Sequence, residues 1–163
     1  MKAISLWQPW ASWIAWQLKP VETRPHKRFA CLVGQRIAIH AARKWDAAAM
    51  CEAQAYLAEI VEAGRTERIE SRLATRAAYA LGNFVSTAYP SGRIVATAVV
   101  TAHRELTSAD SQAALCDCEY GRFGLFLSEV REVAFSDPLG RRRPGAQGIF
   151  NVEVEAEDLV KSA

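Results

Sequence analysis

Apolar positions recur along this chain with two different periods, and the switches between them mark its elements. Residues 3–7 read as a first strand. Pro9 suits the first helical position, where its missing N–H costs nothing. Trp10, Trp13, Ile14, Gln17 and Leu18 then fall at helical spacing, which predicts a short amphipathic helix that Pro20 stops. Residues 21–24 are short and β-like, closed by Pro25. After a basic turn at His26, Lys27 and Arg28, Ile37 and Ile39 alternate with Arg36, Ala38 and His40, the period of a strand with one buried face.

The middle of the chain changes period. Residues 45–63 place Trp45, Ala49, Tyr56 and Ile60 on one helical stripe, with Gly64 as the stop. Thr66 is the expected N-cap of a second helix to about Leu81. Strand signals return at residues 93–103, 122–133 and 149–154, separated by an irregular or briefly helical stretch at 107–120 and a loop at 137–148. Six strands, one early helix and a helical insertion over about 45–82 predict an α+β fold, a small barrel. Length alone predicts one domain over residues 1–155 with a tail at 156–163.

Composition supports a packed core: half the residues are hydrophobic and 23% are charged, which excludes a disordered chain and a collagen-like repeat. The formal charge of +2 hides an asymmetry. Residues 1–44 carry eight Lys and Arg against one acid, whereas the rest is mildly acidic. Such a basic lobe points to an anionic partner, nucleic acid or nucleotide. No run approaches the ~18 apolar residues of a membrane span, and Gln8 and Pro9 interrupt what would otherwise resemble a leader. A cytoplasmic protein is expected, with its four cysteines reduced. Cys116 and Cys118 are too close for an unstrained disulfide, and no second pair has the spacing of a zinc site, although His103 could join them as a third ligand. No metal and no cofactor are expected.

The densest chemistry lies in Lys19-Pro20-Val21-Glu22-Thr23-Arg24. On an extended segment Glu22 and Arg24 point to one side and Thr23 to the other, while Lys19 leans over from the helix-to-strand corner. A carboxylate between two cations stays ionised and tunes its neighbours. The alternative is a surface salt-bridge group.

Leu6-Trp7-Gln8-Pro9-Trp10-Ala11, Lys19-x-x-Glu22-Thr23-Arg24 and Ile39-His40-Ala41-Ala42 together resemble the opening of an ASCH domain, of the PUA-like superfamily. Gly121-x-Phe123-Gly124-Leu125-x-Leu127 and Gln147-Gly148-Ile149-Phe150-Asn151 are similar to that family's closing strands. Gln17 stands where the family usually has glycine. The resemblance implies a PUA-like barrel of five to six strands with a cleft beside the first helix, lined by Lys19, Glu22 and Arg24. It also implies RNA binding, with hydrolases in some branches. The deacylating branch, which acts on acylated cytosine nucleosides, resembles K-x-x-T-x-R, and this chain has Glu22 where that threonine lies. Thr23, one residue off, is expected to face away.

Two further groups complete the picture. Trp7, Trp10, Trp13 and Trp16 recur every third residue. Trp13 reads as core, while Trp10 reads as a base-stacking platform, with Gln8 beside it for a base edge. His40 lies opposite the two isoleucines, facing either the cleft or solvent. Lys27, Arg28, Arg36, Arg43, Lys44, Arg141, Arg142 and Arg143 contact phosphates if they fold onto the cleft rim, and are otherwise solvated charge. The expected function is binding of RNA or a nucleotide-like ligand through Gln8, Trp10, Arg24, His40, Arg43 and Arg141 to Arg143. One alternative is a metal-independent hydrolase, either an amidohydrolase on N4-acylated cytosine nucleosides or a ribonuclease, using Lys19 and Glu22. Another is a nucleic-acid-dependent adaptor.

Overall fold

The computed structural model describes residues 1–45, 50–65, 71–82, 89–118, 121–134, 141 and 143–153. Its order is β1 (Lys2–Gln8), α1 (Trp10–Ala15), β2 (Val21–Arg24), a 3-10 helix (Lys27–Leu32), β3 (Arg36–Trp45), α2 (Met50–Arg65) and α3 (Ser71–Gly82). There follow β4 (Arg93–Glu105), a 3-10 turn (Ser108–Asp110), α4 (Ser111–Ala114), β5 (Phe123–Glu132) and β6 (Ile149–Asn151). The six strands form one sheet in the order β2-β5-β4-β3-β1-β6. Among the described residues only β1 and β3 run parallel; the other pairs are antiparallel. The α+β class, the six strands, the early helix and the helical insertion are as the pattern predicts. The sheet is not strictly a closed barrel, since β2 and β6 end it and do not pair with each other.

Several boundaries differ from the pattern. Strand β3 runs four residues past Ala41, and α2 continues through Gly64 to Arg65. Glycine within a helix is a cost of ~1 kcal/mol, which packing overrides. Pro9 precedes the first helical residue instead of occupying it. The Thr66 cap and the tail at 156–163 lie outside the described residues.

One face of β1 and β3 (Ile4, Leu6, Ile37, Ile39) packs with Ile14, Leu32, Val100 and Leu125 in the main core. A second cluster joins Trp13 and Leu18 to Leu57, Ile60, Ala77 and Ala80 of the helical pair. Trp13 is wholly buried and donates its indole N–H to the Tyr89 hydroxyl at 3.2 Å. The opposite face of β1 and β3 carries Ala3, Ser5, Ala38 and His40; Gly145 lies over Ser5 and His40 here before the chain enters β6 at the β1 edge. Val152 and Phe150 pack on Ala3 and Ala38. No described helix is long and apolar enough to cross a membrane.

Candidate functional site

Two adjoining hollows open where the end of β1 meets β2 and the segment 143–148. The smaller, about 500 Å³, is lined by Trp10, Lys19, Glu22, Cys116 and Arg122 among others. The larger, about 780 Å³, lies between His40, Arg43, Gly92 and residues 143–148. Ser5, Trp7 and Arg24 belong to the walls of both.

The Lys19-to-Arg24 cluster sits in a concavity. Leu18 N–H and Lys19 N–H both bond the Trp13 carbonyl, at 2.8 and 3.2 Å, which turns the chain off α1 and into β2. Gln17 makes that turn with φ 58°, the left-handed conformation that favours glycine. Lys19 is buried, donates to the Ala114 carbonyl oxygen, and places its ammonium 5.2 Å from the centre of the Trp10 ring. Burial pushes its pKa down, while Glu22 and the thiols of Cys116 and Cys118 pull it back up. Glu22 is also buried, with its Oε1 3.3 Å from Arg24 Nε. Arg24 Nη2 donates to the Ser5 carbonyl oxygen at 3.3 Å, and its guanidinium lies 4.9 Å from the centre of the Phe29 ring. Thr23 borders the smaller hollow together with Glu22 and Arg24, where strand alternation had turned it away. Cys116 accepts a 3.6 Å hydrogen bond from Arg122.

His40 faces the larger hollow and is only 2% exposed. Its Nδ1 is 2.8 Å from Ser5 Oγ and its Nε2 is 3.2 Å from the Arg143 carbonyl oxygen. Burial lowers its pKa, and the Arg143 charge lowers it further, against the hydrogen bond to the Arg143 backbone. Arg43 and Arg143 line the same space. Arg143 is tied down by its N–H to Gly92 O at 2.9 Å and by Nη1 to Glu153 O at 3.4 Å.

Other expectations fall elsewhere. Gln8 is buried: its Oε1 accepts from Ser12 N–H at 3.2 Å and its amide donates to Pro90 O. It therefore satisfies an open donor of the first helical turn instead of reading a base. Arg141 is exposed and lines neither hollow, and Arg142 lies outside the described residues. Arg36 pairs with Glu129, and Lys27 lies 5.4 Å from the Phe123 ring centre. Among the described residues no group of His, Cys, Asp and Glu could hold a metal ion. His103 instead stacks on Phe123, 5.7 Å between ring centres.

Sequence reading passed over Ser5 and Trp7 as site residues. Trp7 is 43% exposed and carries the Lys44 ammonium 3.8 Å from its ring centre, whereas Trp10 is partly buried under Lys19. The signal for Ser5 was its alternation with Ile4 and Leu6. Its meaning needed the register, in which Ser5 pairs with His40.

No family model matches the chain, and no curated protein matches it. The chain is similar to the crystal structure of ASCH from Zymomonas mobilis. That likeness covers 98% of this chain and 91% of the other, at 15% identity and a TM-score of 0.48. A point mutant of the same Zymomonas mobilis protein gives 14% identity over 98% of this chain and 92% of that one, with a TM-score of 0.44.

Proposed function

We propose that the paired hollows bind RNA or a nucleotide-like ligand, with a base stacked on Trp7 or Trp10 and phosphate held by Arg24, Arg43 and Arg143. The observation that carries this is the shared wall. One exposed aromatic ring and one fixed guanidinium border both spaces, so stacking and charge meet on one ligand. The resemblance of Lys19-x-x-Glu22-Thr23-Arg24 to the ASCH motif implies the same class of ligand.

The test is fluorescence anisotropy of a short labelled single-stranded RNA across a salt series. Three phosphate contacts predict a slope of about −2 on a log–log plot. Trp7→Ala is expected to weaken binding by ~1–3 kcal/mol, the range for one stacked base. Binding that ignores salt and survives both Trp7→Ala and Arg24→Ala ends this reading.

A second reading has its own observation: the buried Lys19, its pKa lowered by desolvation, stands beside buried Glu22. That pair suits a metal-independent hydrolase in which one of the two activates water. Turnover of an acylated cytidine or of RNA, abolished by Lys19→Ala and by Glu22→Gln in folded protein, selects it over binding alone. Neither turnover nor salt-sensitive binding would leave the adaptor.

A further inference from the structure

The parallel ladder between β1 and β3 sets Ser5 beside His40, with 2.8 Å between the hydroxyl oxygen and Nδ1. The second ring nitrogen, Nε2, is 3.2 Å from the Arg143 carbonyl oxygen. A carbonyl oxygen only accepts, so Nε2 carries the ring proton and Nδ1 keeps its lone pair for the Ser5 hydroxyl. The imidazole has little room to turn. It is buried, stands edge-on to Phe150 with ring centres 5.9 Å apart, and lies directly under Gly145. Ser5 itself is half-buried and lines both hollows. Hydroxyl, imidazole and an orienting acceptor in this order are the parts of an activated nucleophile.

We propose that Ser5 is a nucleophile activated by His40, and that the hollow accepts a carboxylic ester carrying an anionic group. The anionic preference follows from the lining. Arg24, Arg43 and Arg143 border the larger hollow, and no carboxylate is among its described lining residues. Arg24 is hydrogen-bonded to the backbone of the nucleophile's own residue, and is fixed by the Ser5 carbonyl oxygen, Glu22 and the Phe29 ring. A cation held in place beside the attacked carbonyl stabilises the oxyanion without reorganising. Ser5 Oγ attacks the ester carbon, its proton passes to His40 Nδ1, and the carbonyl oxygen takes the negative charge. Collapse restores the carbonyl and breaks the bond to the alcohol oxygen, which leaves with the proton from Nδ1. Water then attacks the Ser5 ester and gives a proton to Nδ1, and the Ser5 oxygen leaves and recovers it. Ester and water become acid and alcohol. The inference rests on the hollow being a ligand site, not on RNA being the ligand.

A fluorophosphonate, which traps activated serines covalently, tests this on the full chain by intact mass and peptide mapping. The expected result is one adduct, on Ser5. It is lost in Ser5→Ala and forms about 100-fold more slowly or less in His40→Gln, the usual scale for losing a general base. In wild-type protein, where folding is not in question, the labelling rate should fall as His40 protonates, with a midpoint below the ordinary 6.5. Burial and the Arg143 charge act in that direction, against the hydrogen bond to the Arg143 backbone, and the other charged residues lining the hollow, Arg24 and Arg43, are also cations. Hydrolysis of 4-nitrophenyl hydrogen succinate should exceed that of neutral 4-nitrophenyl acetate, and Arg43→Ala should narrow the gap. No adduct on Ser5 in folded wild-type protein, or equal labelling in His40→Gln, overturns the nucleophile. Equal turnover of the two esters overturns the anionic substrate. An adduct without RNA affinity upholds the nucleophile and removes RNA as ligand, while RNA affinity without an adduct does the reverse.

Discussion

Replacing Gly145 by alanine isolates the contact between the 143–148 segment and the Ser5–His40 pair. The added Cβ would lie 2.5 Å from His40 Nδ1 and 2.9 Å from Ser5 Oγ. Ordinary contact needs about 3.5–4.0 Å, so something must move by roughly 1 Å. The backbone at 145 is not left-handed, so alanine brings no conformational strain of its own. His40 cannot yield without losing two hydrogen bonds, each ~1 kcal/mol. The exposed segment 144–148 is the softer side, and lifting it parts Nε2–H from the Arg143 carbonyl oxygen. A buried N–H left unpaired costs ~1–3 kcal/mol, the same range as overpacking. Urea unfolding should therefore show a loss of ~1–3 kcal/mol with an unchanged slope. Nitrogen-15 spectra of the His40 ring should lose the single Nε2–H tautomer. Gly148→Ala serves as control, since φ there is +81° and its Cβ would meet nothing within 4 Å. That variant should cost ~1–2 kcal/mol through the backbone while leaving the ring signals in place. A Gly145→Ala protein with unchanged midpoint and unchanged ring signals would refute the close approach and the site built on it.

Three further outcomes are expected. Gln17→Gly relieves a left-handed non-glycine residue, worth ~1–2 kcal/mol, against ~0.5–1 kcal/mol of added chain entropy. The difference is ~0–1.5 kcal/mol, and the 3.3 Å hydrogen bond from Gln17 to Val130 O that is lost is exposed and exchanged for water, so the thermal midpoint should rise; a fall would contradict it. Trp13→Ala empties a fully buried site and strands the Tyr89 hydroxyl, so chemical unfolding should show ~3–5 kcal/mol lost; a loss below ~1 kcal/mol would mean that Trp13 is not core. Because the His40 pKa is lowered in the folded state, the unfolded chain takes up the proton first as pH falls. Stability should decline from about pH 6.5 down to the folded value and no further through this group. Urea midpoints at pH 7.5 and 5.5 should differ more in wild type than in His40→Gln, and an equal difference would remove His40 from the acid response.

The elements were legible because the apolar period states them directly. Ile37 and Ile39 mark β3, and the Ile94-to-Val100 run marks the central β4. The Lys19-to-Arg24 cluster was legible for a related reason, since its members are near in sequence, with β2 setting Glu22 and Arg24 and the turn after α1 setting Lys19. Ser5 and His40 are 35 residues apart, and only the parallel register brings them together. Gln8 misled in the opposite sense. Next to an aromatic and a proline it looks like a ligand contact, yet an amide at a helix start has nearer work in closing open backbone donors. The arginine run at 141–143 shows the limit of counting charge, because Arg143 is drawn in by Gly92 and Glu153 while Arg141 stays outside both hollows.

The two hollows differ in electrostatic character, and on the proposed reading that difference would orient a ligand. Each has a buried base at its floor, Lys19 in one and His40 in the other, and desolvation lowers both pKa values. At Lys19 the Glu22 carboxylate works against this, so the smaller space is mixed in charge and offers a buried acceptor beside an aromatic ring. At His40 the Arg143 charge works with it, and the charged side chains among the described lining residues are all arginines. An anionic group is therefore favoured in the larger space, and a heteroaromatic ring bearing N–H donors in the smaller one. Arg24 makes the two halves one site, because its guanidinium both balances Glu22 and borders the cationic side. Removing it should impair both ends at once, whereas Arg43→Ala should affect only the anionic end.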